Sequence, residues 1–257
     1  MEISVVIITK NEQDNILDCV ESARRISNDV IVVDSGSSDN TVEIALCCHV
    51  KILQINWTNF GDARNTGAEA AQNDWVLALD ADERISEELV YSIRELKLVS
   101  GDIIYGFKRQ SFLGSKKICF GDWGRDKVYR IYDRRFTSWN LFPVHEALIL
   151  KGAKKKIIGG NLEHFVSKSA EQNKEKLIRY AKLCAKKYCL LGRRFALINM
   201  IVSPMFGFLI GYFLRFGFLD GKEGFYIARS IAYYTWLKYS YLQKFSKYGK
   251  FHHLAIS

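Results

Sequence analysis

The first ninety residues alternate between short apolar runs and amphipathic segments, a pattern typical of strands alternating with helices. Four runs predict buried strands, because each is short, rich in aliphatic residues and bounded by polar ones. They cover residues 3–8, 30–33, 51–55 and 75–79. The segments between them carry apolar residues at helical spacing. Strand and helix therefore alternate over about 80 residues, which predicts a doubly wound α/β fold with a mostly parallel sheet.

Polar and acidic residues follow three of these strands, at positions 9–12, 34–41 and 80–83. The carboxyl ends of neighbouring parallel strands border one crevice, so we expect the three segments to converge there. In extended chain Asp80 and Asp82 project to the same side, where two carboxylates and substrate phosphates can hold a divalent cation. An acidic turn leading into the next helix is the alternative. The glycine-rich phosphate loops of dinucleotide-binding and P-loop proteins do not occur.

The last ninety residues differ in character from the first. An amphipathic helix with a basic face is predicted from residue 169. Residues 195–214 carry no charge and are long enough to span a bilayer, although Pro204 and Gly207 interrupt them. Three interpretations are open: a membrane span, an interfacial element that dips into one leaflet, or a buried core helix. The tyrosines and tryptophan of residues 225–245 alternate with Lys and Arg, a mixture that suits the headgroup region.

Charge supports a division between these two parts. The chain of 257 residues has a formal net charge of +9, yet residues 1–150 hold 17 Lys and Arg against 23 Asp and Glu. Residues 151–257 hold 20 against 5. We therefore predict an α/β domain over 1–168 and a membrane-associating helical region over 169–257. An anionic membrane surface is favoured over nucleic acid as partner of the basic region, because an apolar run adjoins it.

Two further features bear on location and binding. The six cysteines show no metal-binding spacing and no signal peptide precedes them, which predicts reduced thiols in a cytosolic protein. Residues 114–126 form a basic, glycine-containing segment between strands predicted at 103–107 and 128–132. The segment contains Trp123, which either stacks on a substrate or anchors the loop as a rim residue.

Several of these motifs resemble those of inverting family-2 glycosyltransferases with the GT-A fold. The likeness is strongest over about residues 1–90 and is carried, in the family's order, by residues 4–12, 32–41, 63–67 and 79–83. Further likeness, to the subgroup that adds sugars, typically glucose, to the lipopolysaccharide inner core, lies in residues 121–126, 144–146, 164 and 217–221. That subgroup usually has Pro before the Asp of the tryptophan loop, where this chain has Arg125.

The resemblance implies a binding site for a nucleotide sugar, most simply a UDP-sugar. Asp34 would accept hydrogen bonds from the uracil or the ribose, and Asp80 would reach the ribose or the donor sugar. Arg64 would approach the base or the diphosphate, since a guanidinium matches phosphate oxygens. The same pocket would be lined by three residues of the first loop, Thr9, Asn11 and Glu12.

The resemblance also implies a metal and a general base. Asp82 would bind Mg²⁺ or Mn²⁺ on the diphosphate, and His164 is either a further ligand or a structural residue. Inversion requires that a carboxylate deprotonates the attacking acceptor hydroxyl. Asp126 and Glu146 are the two candidates, and Asp126 is slightly favoured. Either is alternatively an ion-pair partner of Arg130, Arg134 or Arg135.

The expected function is transfer of a hexose, with inversion, from a UDP-sugar to a lipopolysaccharide-core or other lipid-linked saccharide. Trp123 and Arg125 would contact that acceptor. The expected location is the cytoplasmic face of the inner membrane, with peripheral or monotopic attachment. A transferase acting on polyprenyl phosphate and an inactive membrane-bound scaffold are the alternatives.

Overall fold

The computed structural model describes residues 3–98, 101–144, 146–150, 152–166, 170–192 and 197–247. The predicted helix start at Ser169, the arginines at 193 and 194 that flank the apolar run, and His145 lie outside the described residues. The chain forms two compact units. The sheet unit comprises residues 1–112 and 126–166, and the helical unit comprises residues 113–125 and 167–257.

The sheet unit alternates strands and helices through its first half and then adds strands. Its elements are β1 Ile3–Thr9, α1 Ile16–Arg24, β2 Val30–Asp34, α2 Thr41–Cys47, β3 Lys51–Gln54, α3 Phe60–Glu69, β4 Trp75–Asp80, β5 Glu83–Ile85, α4 Glu87–Arg94, β6 Ile103–Leu113, β8 Lys127–Asp133 and β9 Lys154–Val166, with β7 Lys116–Lys117 falling in the helical unit. Its strands pair in the order β3-β2-β1-β4-β8-β6-β9-β5.

The sheet is covered by helices on both faces, as the unbroken apolar strands require. All seven residues of β1 are buried, and its five aliphatic residues are divided between two core clusters. Val5 and Ile7 pack with residues of α1 and α4, whereas Val6 and Ile8 pack with residues of α3. Helix α3 lies so close to the sheet that a Cβ on Gly67 would meet Val6 Cγ1 at 2.3 Å. A layered α/β core results.

The predicted α/β class is confirmed, and the sheet is mixed. Strands β1 to β4 are parallel, while β8 pairs antiparallel with both β4 and β6, and β5 pairs antiparallel with β9. Helix α4 follows Ser86, whose side chain accepts a hydrogen bond from Leu89 N at 3.2 Å. Helix α3 begins at Phe60, after Asn59, whose side chain caps the helix by accepting a hydrogen bond from Asp62 N.

The described residues of the helical unit form three α-helices, α5 Ala170–Leu190, α6 Leu197–Leu209 and α7 Gly221–Lys247. A π-helical turn, Ile210–Leu214, continues α6, and a 3-10 turn, Gly217–Asp220, precedes α7. Helix α7 packs along both α5 and α6. A second 3-10 turn, Trp123–Arg125, belongs to the loop of this unit.

One helical stretch in the described part of the chain, Leu197–Leu214, is long and apolar enough to cross a membrane, with a mean hydropathy of 1.8. Only 6% of it is buried. The interpretation of this segment as a buried core helix is therefore wrong. The two remaining interpretations, a membrane span and an interfacial element, both fit a segment whose side chains are exposed.

Candidate functional site

Three polar residues lie side by side where three neighbouring strands end. Thr9 closes β1 and stands opposite Asp34, the last residue of β2. On the other side of β1, Ile8 stands opposite Asp80, the last residue of β4. The convergence expected from the sequence thus follows from the parallel register of β2, β1 and β4.

The first two loops of this crevice hold each other through hydrogen bonds. The buried carboxylate of Asp34 accepts from Gly36 N and Ser37 N, each at 3.0 Å, and so shapes its own turn. Asn11 Oδ1 accepts from Ser38 N at 2.8 Å, and Glu12 N donates to Thr41 Oγ1 at 2.8 Å. The four candidate donor-binding residues Thr9, Asn11, Glu12 and Asp34 therefore share one rim of the crevice.

Arg64 lies buried at the floor of the crevice, with 1% of its surface exposed. Its guanidinium donates to Asp80 Oδ1 at 2.5 Å and also to Glu146 Oε1. The same guanidinium stacks over the Trp139 ring, 4.7 Å from the ring centroid. Arg64 thus joins Asp80, at the end of β4, to Glu146, which lies 82 residues after Arg64 in the chain.

Two more arginines extend this arrangement. Arg130 donates to Asp80 Oδ2 at 2.9 Å and lies 3.6 Å from Glu83 Oε1. Arg109 lies 3.6 Å from the same Glu83 oxygen and donates through Nε to Asp126 Oδ2 at 2.8 Å. We call the complete set the arginine network; it consists of Arg64, Arg109 and Arg130 with Asp80, Glu83, Asp126 and Glu146.

The network sets the charge of its two central carboxyls in opposite directions. Burial acts to raise the pKa of Asp80, but the adjacent Arg130 and Arg64 outweigh it and hold that pKa well below its ordinary value. Burial, reinforced by the charge of Asp80, raises the pKa of Glu83. Asp80 is therefore a stable anion at neutral pH. Burial acts to lower the pKa of Arg130, but the charge of Asp80 outweighs it and raises that pKa.

Asp82 points to a different partner. Strand β4 ends at Asp80 and residues 81–82 form a turn, so Asp82 lies outside the extended chain that the sequence predicted. Strand β9 pairs with β5 and brings His164 to Asp82, with 3.4 Å between Nε2 and Oδ2. The other ring nitrogen lies 3.3 Å from Ser111 Oγ.

The candidate cation site is thus a pair, Asp82 and His164. In the described ranges, no group of three or more His, Cys, Asp or Glu side chains could hold a metal ion. A carboxylate and an imidazole suit a divalent cation that takes its remaining ligands from water and substrate phosphates, as Mg²⁺ usually does. The residues present therefore fit a cation that arrives with the nucleotide.

The structure separates the two candidate bases by exposure and by partner. The Asp126 side chain is 32% exposed and pairs with Arg109, whereas that of Glu146 is 13% exposed and pairs with Arg64. Both are ion-paired, but their direct partners differ from those that the sequence suggested. Of the suggested arginines, Arg134 and Arg135 bind other acids, Asp74 and Asp133.

The two candidate acceptor residues, Trp123 and Arg125, belong to the loop of the helical unit. Trp123 is partly exposed and Arg125 is exposed. The structure therefore assigns the donor and metal candidates to one unit and the acceptor candidates to the other.

Sequence reasoning missed Glu83, Arg109 and Trp139 as site residues. Glu83 could have been found from the sequence, because it directly follows the two aspartates. In the structure its carboxylate accepts a hydrogen bond from Asp80 N at 2.9 Å. Arg109 lies within a long strand, and Trp139 within an irregular segment, so no local pattern marks either one. Only the pairing of β6 with β8, and the folding of residues 134–150 onto α3, bring them in.

Comparison with known proteins gives the chain a family. A family model described as glycosyl transferase family 2 matches residues 4–157. An uncharacterised glycosyltransferase of Rickettsia typhi is 27% identical over 270 residues, covering 95% of this chain and 88% of the relative. The lipopolysaccharide core biosynthesis glycosyltransferase LpsC of Rhizobium meliloti is 26% identical over 245 residues, covering 92% and 90%. The crystal structure of S. aureus TarS 1-349 in complex with UDP-GlcNAc aligns with a TM-score of 0.49 at 14% identity, covering 100% of this chain and 95% of that one.

The matched residues include the three strand ends, Asp82 and the whole arginine network. They therefore contain most of the site described above, and they cover more than half of the chain. The α/β sheet has the architecture expected of such an enzyme. The protein is a glycosyltransferase that belongs to glycosyl transferase family 2.

Proposed function

We propose that the protein transfers a hexose, such as glucose, from a UDP-sugar to a lipopolysaccharide-core or other lipid-linked saccharide, with inversion. The observation that carries the proposal is the register of β2, β1 and β4, which sets Asp34, Thr9 and Asp80 at one crevice beside Asp82. Membership of family 2 and the likeness to LpsC of Rhizobium meliloti support the reaction class and the acceptor class.

The donor would bind along the strand ends. Thr9 Oγ1 and Arg64 Nε are buried and have no hydrogen-bond partner in the described residues. Such atoms are costly unless a ligand or water satisfies them, which supports a polar ligand in this crevice. Asp34 is fixed by its own turn, in which Gly36 N, Ser37 N and the Ser37 hydroxyl donate to its carboxylate, so a ribose or uracil donor would take the place of the Ser37 hydroxyl.

Asp82 and His164 would hold Mg²⁺ or Mn²⁺ together with the diphosphate. When bound, the cation would neutralise the charge that develops on the departing nucleotide. The protein's own contribution on this side is a set of arginines that ion pairs hold in place. Arg64 and Arg130 are buried, and their guanidinium nitrogens lie 2.5 Å and 2.9 Å from the Asp80 carboxylate oxygens.

Asp126 is the better of the two candidate bases. A base must reach the acceptor hydroxyl, and Asp126 is the more exposed carboxylate. Arg109 binds it through both Nε and Nη2, at 2.8 Å and 2.5 Å, which fixes the orientation of the carboxylate. Glu146 is largely enclosed by Arg64, and its role is to hold that arginine.

The helical unit would attach the enzyme to the cytoplasmic face of the inner membrane as a peripheral or monotopic protein. Helix α6 contains no buried residue, and Ile201, Met205 and Phe206 are each more than half exposed. An open apolar groove of about 590 Å³ adjoins them, with Arg229 and Trp236 among its lining residues. Apolar side chains with tryptophan and arginine at their margin are typical of a surface that enters the headgroup region.

The proposal is tested by incubating the full-length protein with UDP-[¹⁴C]glucose, Mn²⁺ and one of two acceptors in detergent micelles. The first acceptor is lipid A carrying its innermost core sugars, and the second is a polyprenyl phosphate. We expect label in the first acceptor and none in the second. Labelling of the polyprenyl phosphate alone would make that compound the acceptor instead. If neither acceptor is labelled and no UDP is released, the enzyme assignment is contradicted.

A further inference from the structure

The loop of residues 113–125, which carries the candidate acceptor residues, is held by a buried carboxylate of the helical unit. Asp220 is only 4% exposed. Its Oδ1 accepts a hydrogen bond from Cys119 N at 3.1 Å, and its Oδ2 accepts one from Phe120 N at 2.8 Å. Both carboxylate oxygens are thus engaged by consecutive backbone amides of the loop.

Contacts on both sides of this carboxylate hold the same loop. On one side Lys116 Nζ donates to the backbone oxygen of Asp220 at 2.6 Å and to Glu223 Oε2 at 2.9 Å. On the other side Gly121 N donates to the backbone oxygen of Arg215 at 2.9 Å, and the Arg215 guanidinium pairs with Asp122. The contacts therefore reach from residue 116 to residue 122, directly before Trp123.

Asp220 and Arg215 lie at the ends of two short helical turns that precede α7. Asp220 is the last residue of the 3-10 turn. Arg215 follows the π-helical turn at the end of α6, and π-helical turns occur frequently at functional sites. Gly211 lies in that turn, and a Cβ there would stand 2.8 Å from Asp122 Oδ2. The sequence Gly217-Phe218-Leu219-Asp220-Gly221, which neither the sheet nor the donor crevice explains, thus serves to hold the loop.

The loop itself has the composition of a surface that binds an anionic saccharide. Lys117 and Arg125 are exposed, Phe120 is 36% exposed and Trp123 is partly exposed. Aromatic side chains offer flat apolar faces on which a sugar ring can stack, and cations attract phosphate groups. The loop ends at Arg125, and the next residue in the chain is the candidate base, Asp126.

We infer that Asp220 and Arg215 are positioning residues for acceptor binding, and that the loop they hold recognises a phosphorylated saccharide presented at the membrane. The inference rests on the proposed function and extends it. It assigns acceptor recognition to the helical unit, which carries the membrane-facing apolar surface, and leaves nucleotide binding to the sheet unit. Loss of either contact should weaken binding of the acceptor and leave binding of the donor unchanged.

The test uses Asp220→Asn in the full-length protein. The substitution replaces one acceptor oxygen by an amide that cannot accept, so one loop N–H loses its partner. We expect the KM for the lipid A–core acceptor to rise about tenfold or more, which is the effect of one buried charge-assisted hydrogen bond. The KM for UDP-glucose and the slow release of UDP by water in the absence of acceptor should stay within about twofold of the wild type.

A second variant and two controls complete the design. Arg215→Gln removes the pair with Asp122 and serves where Asp220→Asn fails to fold. Asp133→Asn is the matched control, because Asp133 is a buried carboxylate that accepts from the backbone and the guanidinium of Arg135 in the sheet unit. Arg179→Gln removes an exposed charge from the same helical unit as Arg215. Both controls should leave both KM values unchanged, whatever they do to the melting temperature.

The outcomes distinguish a failure of the inference from a failure of the proposed function. A wild type that transfers sugar, with an acceptor KM unchanged in both Asp220→Asn and Arg215→Gln, overturns the inference and leaves the proposed function standing. Equal changes in donor and acceptor KM also overturn it, since a merely structural role would produce them. A wild type that transfers no sugar removes both.

Discussion

Arg64 offers a direct test of the arginine network, because its removal takes one of two arginine partners from Asp80 and the paired arginine from Glu146. In Arg64→Met the side-chain volume is largely kept, while the ion pairs with Asp80 and Glu146 and the stacking on Trp139 are lost. Asp80 retains Arg130 at 2.9 Å. Glu146, only 13% exposed, loses its only hydrogen-bonded arginine in the described residues.

The expected cost follows from these contacts. Removing one member of a buried ion pair costs about 3–5 kcal/mol, because the remaining charge is left uncompensated. Loss of a cation–π contact adds about 0.5–2 kcal/mol. Together these approach the whole stability of a typical domain, about 5–15 kcal/mol. In Glu146→Gln, Arg64 keeps Asp80, so we expect a cost of only about 1–3 kcal/mol.

The assay is urea unfolding of the full-length protein, followed by tryptophan fluorescence and by circular dichroism. The double variant Arg64→Met with Glu146→Gln should recover about 1–3 kcal/mol relative to the sum of the two single variants, because it removes the orphaned charge. An Arg64→Met variant that costs less than about 1 kcal/mol, or a double variant whose cost equals the sum, would refute the reasoning.

Two other predictions concern catalysis and attachment. Asp126→Asn should lower kcat about 10²- to 10⁴-fold with little change in the KM for UDP-glucose, whereas Glu146→Gln should lower it much less; the reverse order would make Glu146 the base. Replacing Ile201 and Phe206 together by Asp should abolish flotation of the full-length protein with vesicles containing anionic lipid, since both side chains are more than half exposed. Conversion of two exposed residues on α5, Lys174 and Arg179, to Gln is the control for charge alone, and equal flotation of all three proteins would contradict the membrane surface.

The sequence predicted the strand ends well because that information is local. The runs that became β1, β2 and β4 are bounded by Thr9, Asp34 and Asp80, and parallel pairing alone brings those ends together. The caps show the limit of the same reasoning. Ser86 caps α4 as its position indicates, whereas α1 begins after Asn15, whose side chain makes no capping hydrogen bond.

The remainder of the site depends on pairings that no local pattern reveals. His164 reaches Asp82 only because β9 runs antiparallel to β5, and Arg109 reaches Asp126 only because β6 pairs with β8. The attachment of the loop by Asp220 spans about a hundred residues of chain. Such contacts are set by tertiary packing, which composition and periodicity do not encode.

The central claim is that Asp82, beside His164 and the strand ends, holds a nucleotide diphosphate through a divalent cation. Isothermal titration of UDP into the full-length protein, with Mn²⁺ and with EDTA, tests it most directly. We predict that UDP binds with Mn²⁺ and that EDTA, which removes the cation, weakens this binding at least about tenfold. Asp82→Asn should weaken it by a similar factor, because the remaining ligands hold the cation poorly. Failure of the wild type to bind UDP with Mn²⁺, or equal affinity in Asp82→Asn, would contradict the account.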